Sequence, residues 1–136
     1  MSQKQNKTLK ILVVDNDSAT VGTISAQLSS GNHEPVGAYS AREAKRLVNE
    51  ENLDLILIDV MMPDIDGITL AEQLMENKLA KNTPVILFSA LGIASEGFKE
   101  SERIVNLSNV KAKLEKPFTA KQLLSVIDKV IKNNFK

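Results

Sequence analysis

Three short apolar runs constrain this 136-residue chain more than any other feature: Ile11-Leu12-Val13-Val14, Leu55-Ile56-Leu57-Ile58 and Val85-Ile86-Leu87-Phe88. None of them alternates with polar residues. A strand with one wet face alternates, whereas a strand covered on both faces reads as a continuous apolar run. The pattern therefore predicts the central strands of a parallel sheet sandwiched between helices. A weaker run from Val110 to Leu114 predicts a further strand. Glu34 to Tyr39 carries Pro35 and Gly37 and reads as a short edge strand, where the missing proline N–H is tolerated.

Between these runs the apolar period becomes helical. Val21, Ile24 and Leu28 share a face, as do Ala41, Ala44, Leu47 and Val48, then Ala71, Leu74 and Met75. Leu123, Leu124, Ile127, Val130 and Ile131 form the clearest stripe. Ser40 with Glu43 and Thr119 with Gln122 have capping-box spacing, and Asp66 is placed to cap the helix beginning near Gly67. A helix from about Ser95 to Leu107 with Phe98 inward, after a loop containing Gly92, completes five strand–helix repeats. Alternating strands and helices imply a doubly wound α/β fold with right-handed crossovers.

Composition narrows the function. Seventeen basic residues balance seventeen acidic ones, so no net field draws the chain to nucleic acid or to an anionic membrane. There is no cysteine and one histidine, which excludes disulfides, thiolate metal sites and polyhistidine sites. His33, in the turn-like Gly31-Asn32-His33-Glu34-Pro35, is expected to be an exposed loop residue. No apolar run approaches the ~18 residues of a membrane span, and none after the polar N-terminus suits a signal peptide. Met61, Met62 and Met75 require no role beyond packing.

In an open α/β sheet, ligands bind beyond the carboxyl ends of the strands. Those ends carry Asp15-Asn16-Asp17, Asp59, Ser89-Ala90 and Glu115-Lys116-Pro117. Carboxylates suit a hard cation such as Mg²⁺, which usually shares its shell with phosphate oxygens. A hydroxyl and an ammonium suit the remaining phosphate oxygens, and an aspartate there can become an acyl phosphate.

The stretch Asp59-Val60-Met61-Met62-Pro63-Asp64-Ile65-Asp66-Gly67 resembles the phosphoacceptor segment of response-regulator receiver domains. The resemblance extends in order through Ile11 to Asp17, Val85 to Ala90 and Lys116-Pro117-Phe118, and spans Lys10 to Val130. It implies a flavodoxin-like (βα)5 fold with strand order 2-1-3-4-5. It implies that Asp59 accepts a phosphoryl group from a sensor histidine kinase or phosphotransfer protein, with Mg²⁺ held by Asp15, Asp59, the Met61 backbone carbonyl and, less securely, Asn16. Ser89 and Lys116 would contact the phosphoryl oxygens, and Pro117 would follow a cis bond. Phosphorylation would shift the face formed by strand four, its following helix and strand five, and so control protein–protein contact. The same resemblance implies a cytoplasmic protein that is not an enzyme toward other substrates, although receivers catalyse their own phosphotransfer and autodephosphorylation. Residues 1–136 are expected to form one receiver domain, with its core at about 9–132 and no output domain. The output partner is unspecified and homodimerisation is left open.

Three positions depart from the family pattern. Asn16 stands where the second acidic residue is usual, which predicts weaker Mg²⁺ binding. Lys113 stands where the switch aromatic is usual and is expected to keep its charge in water. Ser89 and Lys116 are 27 residues apart, a longer interval than usual, read as a specialised contact surface. Leu91 is expected to screen the acyl phosphate from water. The first two departures motivate an alternative, a degenerate receiver acting as a phosphorylation-independent binding module. A third reading takes Asp15-Asn16-Asp17 as the Asp-x-Asp of a haloacid-dehalogenase-type phosphatase. Ala19, and the lack of an acidic motif after Lys116, count against it. Asp15 and Asp17 are also open to a bland reading as ordinary helix-capping acids at a strand-to-helix turn.

Overall fold

A computed structural model describes residues 7–90, 104 and 106–134. The described elements are β1 (Lys10–Val14), α1 (Ser18–Ser30), β2 (Glu34–Ala38), α2 (Ala41–Glu50), β3 (Leu55–Asp59), α3 (Gly67–Met75), β4 (Val85–Ala90), β5 (Val110–Lys116) and α4 (Ala120–Asn134). The five strands form one parallel sheet in the order β2-β1-β3-β4-β5. This is the expected doubly wound α/β fold and strand order. The helix expected from Ser95 to Leu107, Phe98 within it, Gly92 and Leu91 lie almost wholly outside the described residues. Of that span, Ile104, Asn106 and Leu107 are described; Ile104 and Leu107 are buried and Asn106 is exposed.

The continuous apolar runs behave as their pattern requires. Leu12, Val14, Ile56, Ile58, Val85 and Leu87 point to one face and pack under α2 and α3. Ile11, Val13, Leu55, Leu57, Ile86 and Phe88 point to the other and pack under α1 and α4. Successive strand residues alternate faces, so a run that is apolar at every position feeds two cores. β5, at the edge, alternates instead: Ala112 and Leu114 lie partly buried while Lys111, Lys113 and Glu115 are exposed.

The predicted caps close as hydrogen bonds. Ser40 Oγ accepts from the Glu43 N–H at 3.1 Å, and Asp66 Oδ1 accepts from the Thr69 N–H at 2.7 Å. Thr119 and Gln122 cap reciprocally, at 3.0 and 2.8 Å. His33 corrects its expectation. It is half-buried, and its Nδ1 accepts the Leu9 N–H at 3.1 Å, tying the start of β1 to the turn before β2. In that turn Asn32 takes a φ of 67°, a left-handed conformation that Asn tolerates better than most residues. Met61 corrects a second expectation. Met62 and Met75 pack against the core, but Met61 is 55% exposed.

Candidate functional site

The parallel register places the chemistry-bearing residues along one rim. Val14 is level with Ile58 on the neighbouring strand, so Asp15, one residue beyond, lies beside Asp59. Asp59 is level with Phe88, Ser89 with Glu115, and Ala90 with Lys116. Asp15, Asp59 and Ser89 are buried, at 1%, 5% and 0% exposure. Lys116 reaches back across the rim, with its Nζ 3.9 Å from Asp15 Oδ2 and 5.5 Å from the centre of the Phe88 ring. The Lys116–Pro117 bond is cis, and Phe118 packs edge-on against Phe88 at 6.2 Å.

Each carboxylate is aimed by a local backbone contact. Asp15 Oδ1 accepts the Asp17 N–H at 2.9 Å, and Asp59 Oδ1 accepts the Met61 N–H at 3.1 Å. Asp17 is committed elsewhere: it is the N-cap of α1, accepting from the Ala19 N–H at 3.1 Å and from Thr20 Oγ1 at 2.9 Å. The bland reading of Asp17 therefore holds. Asn16, between the two aspartates, is exposed.

Burial pushes the Asp59 carboxyl up from 3.8 to about 6. The Met61 N–H and the Lys116 charge pull it down, while the Asp15 charge pushes it up, and burial prevails. Among the described residues, two buried polar atoms on the rim, Asp15 Oδ2 and Ser89 Oγ, have no hydrogen-bond partner. Buried polar atoms are nearly always satisfied, so an unpaired acceptor and an unpaired hydroxyl on the same rim mark a place built to receive something. Among the described residues no cluster of three or more acidic, His or Cys groups is arranged to hold a metal. Two carboxylates are nonetheless enough for Mg²⁺, which commonly takes one or two and completes its shell with water and phosphate. The residues present therefore fit a cation that binds together with a phosphoryl group.

Two contributors escaped sequence reasoning. Gly67 donates its N–H to the Val60 carbonyl at 2.8 Å. A Cβ there would run into the Asp59 carbonyl oxygen and would lie 2.8 Å from Ile58 Cγ2, so only glycine lets α3 begin this close to Asp59. The signal was visible as the Asp66-Gly67 pair after Met62-Pro63, but no spacing rule assigns it this contact. Phe88 presents its ring to the Lys116 ammonium, and nothing in its apolar run distinguishes it from its neighbours.

A family model described as the response regulator receiver domain matches residues 11–128. The two-component response regulator-like PRR37 of Oryza sativa subsp. indica is 34% identical over 97 residues, which is 70% of this chain and 13% of that protein. Response regulator PleD of Caulobacter vibrioides is 35% identical over 82 residues, 60% of this chain and 18% of that protein. The chain thus spans less than a fifth of the length of either relative. Among solved structures, the Francisella response regulator 1452 receiver domain is similar with a TM-score of 0.76 and 30% identity, over 93% of this chain and 98% of that one.

Proposed function

Since this chain belongs to the response-regulator receiver family, we propose that it is a phosphoacceptor in which Asp59 takes a phosphoryl group from a histidine kinase or phosphotransfer protein. The observation that carries the reading is the buried Asp15–Asp59 pair facing Lys116, with the Ser89 hydroxyl, unpartnered among the described residues, on the next strand.

An Asp59 carboxylate oxygen attacks phosphorus; the Oδ–P bond forms as the P–N bond of a phosphohistidine breaks, and the imidazole leaves with the electron pair. With a carboxyl near 6, Asp59 is largely ionised at neutral pH and keeps its nucleophilic lone pair. Lys116 supplies a positive charge to one phosphoryl oxygen, and the Ser89 hydroxyl donates to another. Asp15, Asp59 and the Met61 carbonyl would hold Mg²⁺, which when bound neutralises charge on the transferring group. Asn16 contributes at most a neutral oxygen.

Phosphorylation replaces one negative charge by about two. Ser89 lies on β4 and Lys116 on β5, so drawing both toward the new oxygens strains the strands that carry them. That biases the β4–β5 face between two arrangements and so changes which protein it contacts. No described helix is long and apolar enough to cross a membrane. A cytoplasmic location and the absence of chemistry on any other substrate belong to the same proposal.

Intact mass after incubation with acetyl phosphate and Mg²⁺ tests it. Wild type should gain one phosphoryl group, and Asp59→Asn should gain none. No gain at any Mg²⁺ concentration would favour the second reading, a binding module that works without phosphorylation. Asp17's commitment to its cap and the exposed neutral Asn16 give that reading its support. The Asp17 cap also counts against the phosphatase reading, since both Asp17 oxygens are already engaged.

A further inference from the structure

The five strands carry one aromatic residue between them, Phe88 on β4. Aliphatic side chains fill the other buried positions on that face of the sheet: Ile11, Val13, Leu55, Leu57 and Ile86. Packing alone therefore asks for nothing aromatic at this position. The ring lies where the ammonium is, with Lys116 Nζ 5.5 Å from its centre. That is within the ~6 Å at which a ring face attracts a cation. Phe88 is 1% exposed, and Phe118 packs edge-on against it with the ring planes at 78°. The Phe118 carbonyl in turn accepts from Gln27 Nε2 on α1 at 3.3 Å. The ring is thus fixed by the sheet, by the segment after β5 and, through Phe118, by α1.

Lys116 needs such a support. Its ammonium ends a flexible stem with many rotamers, and its side chain is 31% exposed. Its contact with a carboxylate is long: Asp15 Oδ2 is 3.9 Å away and has no hydrogen-bond partner among the described residues. Asp15 is also one of the carboxylates that would hold the cation, so its charge is shared. Phe88 has no second charge to serve. We infer that Phe88 is a positioning residue for Lys116: the face of its ring holds the ammonium on the rim, toward the place where the phosphoryl oxygens on Asp59 arrive. The inference rests on the phosphoacceptor reading and adds to it a buried residue that acts only through Lys116. An aliphatic residue at position 88 would fill the same core and leave Lys116 to sample its rotamers, so that its ordering would have to be supplied during phosphoryl transfer.

The test joins NMR of the unphosphorylated full chain to the rate of intact-mass labelling with acetyl phosphate and Mg²⁺. Protons over an aromatic face are shifted upfield. The Lys116 ε-methylene signals should therefore lie upfield of those of the exposed Lys111, and should move back to them in Phe88→Met. Mono- and trifluorinated phenylalanine incorporated at position 88 keep the shape of the ring and withdraw charge from its face. The labelling rate should fall stepwise along that series, and by about two- to fivefold in Phe88→Met. Ile86→Val, a buried change two residues earlier on the same face, should leave the Lys116 signals and the labelling rate as in wild type. Wild-type Lys116 signals that coincide with those of Lys111, labelling indifferent to fluorination, or an equal loss in Ile86→Val would overturn the inference. If wild type labels while these expectations fail, Asp59 remains the acceptor and only the role of Phe88 is lost. If wild type takes no phosphoryl group, both readings are overturned.

Discussion

Asp59 is held against its own chemistry. Burial lifts its carboxyl to about 6, so the folded chain binds that proton more tightly than the unfolded chain does. Stability from this group is therefore lowest above about pH 6 and recovers as pH falls toward 3.8. The ionised form costs on the order of 2–3 kcal/mol at pH 8. Asp59→Asn should raise the urea midpoint at pH 8, and the gain should shrink toward pH 4; equal midpoints at both pH values would contradict the account. Beside it, Gly67→Ala should destabilise by about 1–3 kcal/mol, because a Cβ meets the Asp59 carbonyl and backbone has to shift. The same change should slow acetyl phosphate labelling by misplacing Asp59. Asn16→Asp should tighten Mg²⁺ binding, read by calorimetry on the unphosphorylated chain. An unchanged affinity would mean that position 16 does not face the cation.

At the scale of elements, the ends of strands and helices carry the precision. The turn into β2 is held by His33, whose Nδ1 accepts the Leu9 N–H and so must be unprotonated. Burial lowers its pKa below 6.5, while the charges of Asp128 and Asp54 oppose that shift and do not overcome it. The contribution is present above pH 6.5 and is lost as pH falls below it, opposite in sign to that of Asp59. Melting temperatures of wild type and His33→Gln should therefore converge as pH drops from 7.5 to 5.5. A constant gap would remove the proton from the explanation. Asp64 works differently, joining two elements: its Oδ2 accepts the Ala41 N–H at 2.9 Å and so ties the β3–α3 connection to the start of α2.

At the scale of the molecule, the sheet serves as both support and alignment device. Leu57 is 1% exposed in the central strand, on the face covered by α1 and α4. Leu57→Ala should cost about 2–5 kcal/mol in denaturant unfolding. Asp59, two residues further along β3, should still become phosphorylated while the fold persists. A cost below about 1 kcal/mol would mean that the two cores behave as loosely packed layers. The α1/α4 core also contains Phe88, so the residue beneath Lys116 belongs to the same packed layer that fixes β3.

The amino-acid order alone determined the layers, the central strands, the caps and the rim residues. Each is written in a local signal: an unbroken apolar run, a helical period, a Ser-x-x-Glu spacing, an Asp at a strand end. Resemblance to a family then supplied the strand order and the chemical roles. Only the tertiary structure decided that His33 is an acceptor rather than a bystander and that Gly67 touches Asp59. It alone brought the Phe88 ring within 5.5 Å of Lys116 Nζ. These are contacts between residues distant in sequence, or choices among several hydrogen-bond partners. No local pattern encodes them, because they depend on where the other strands and helices come to rest.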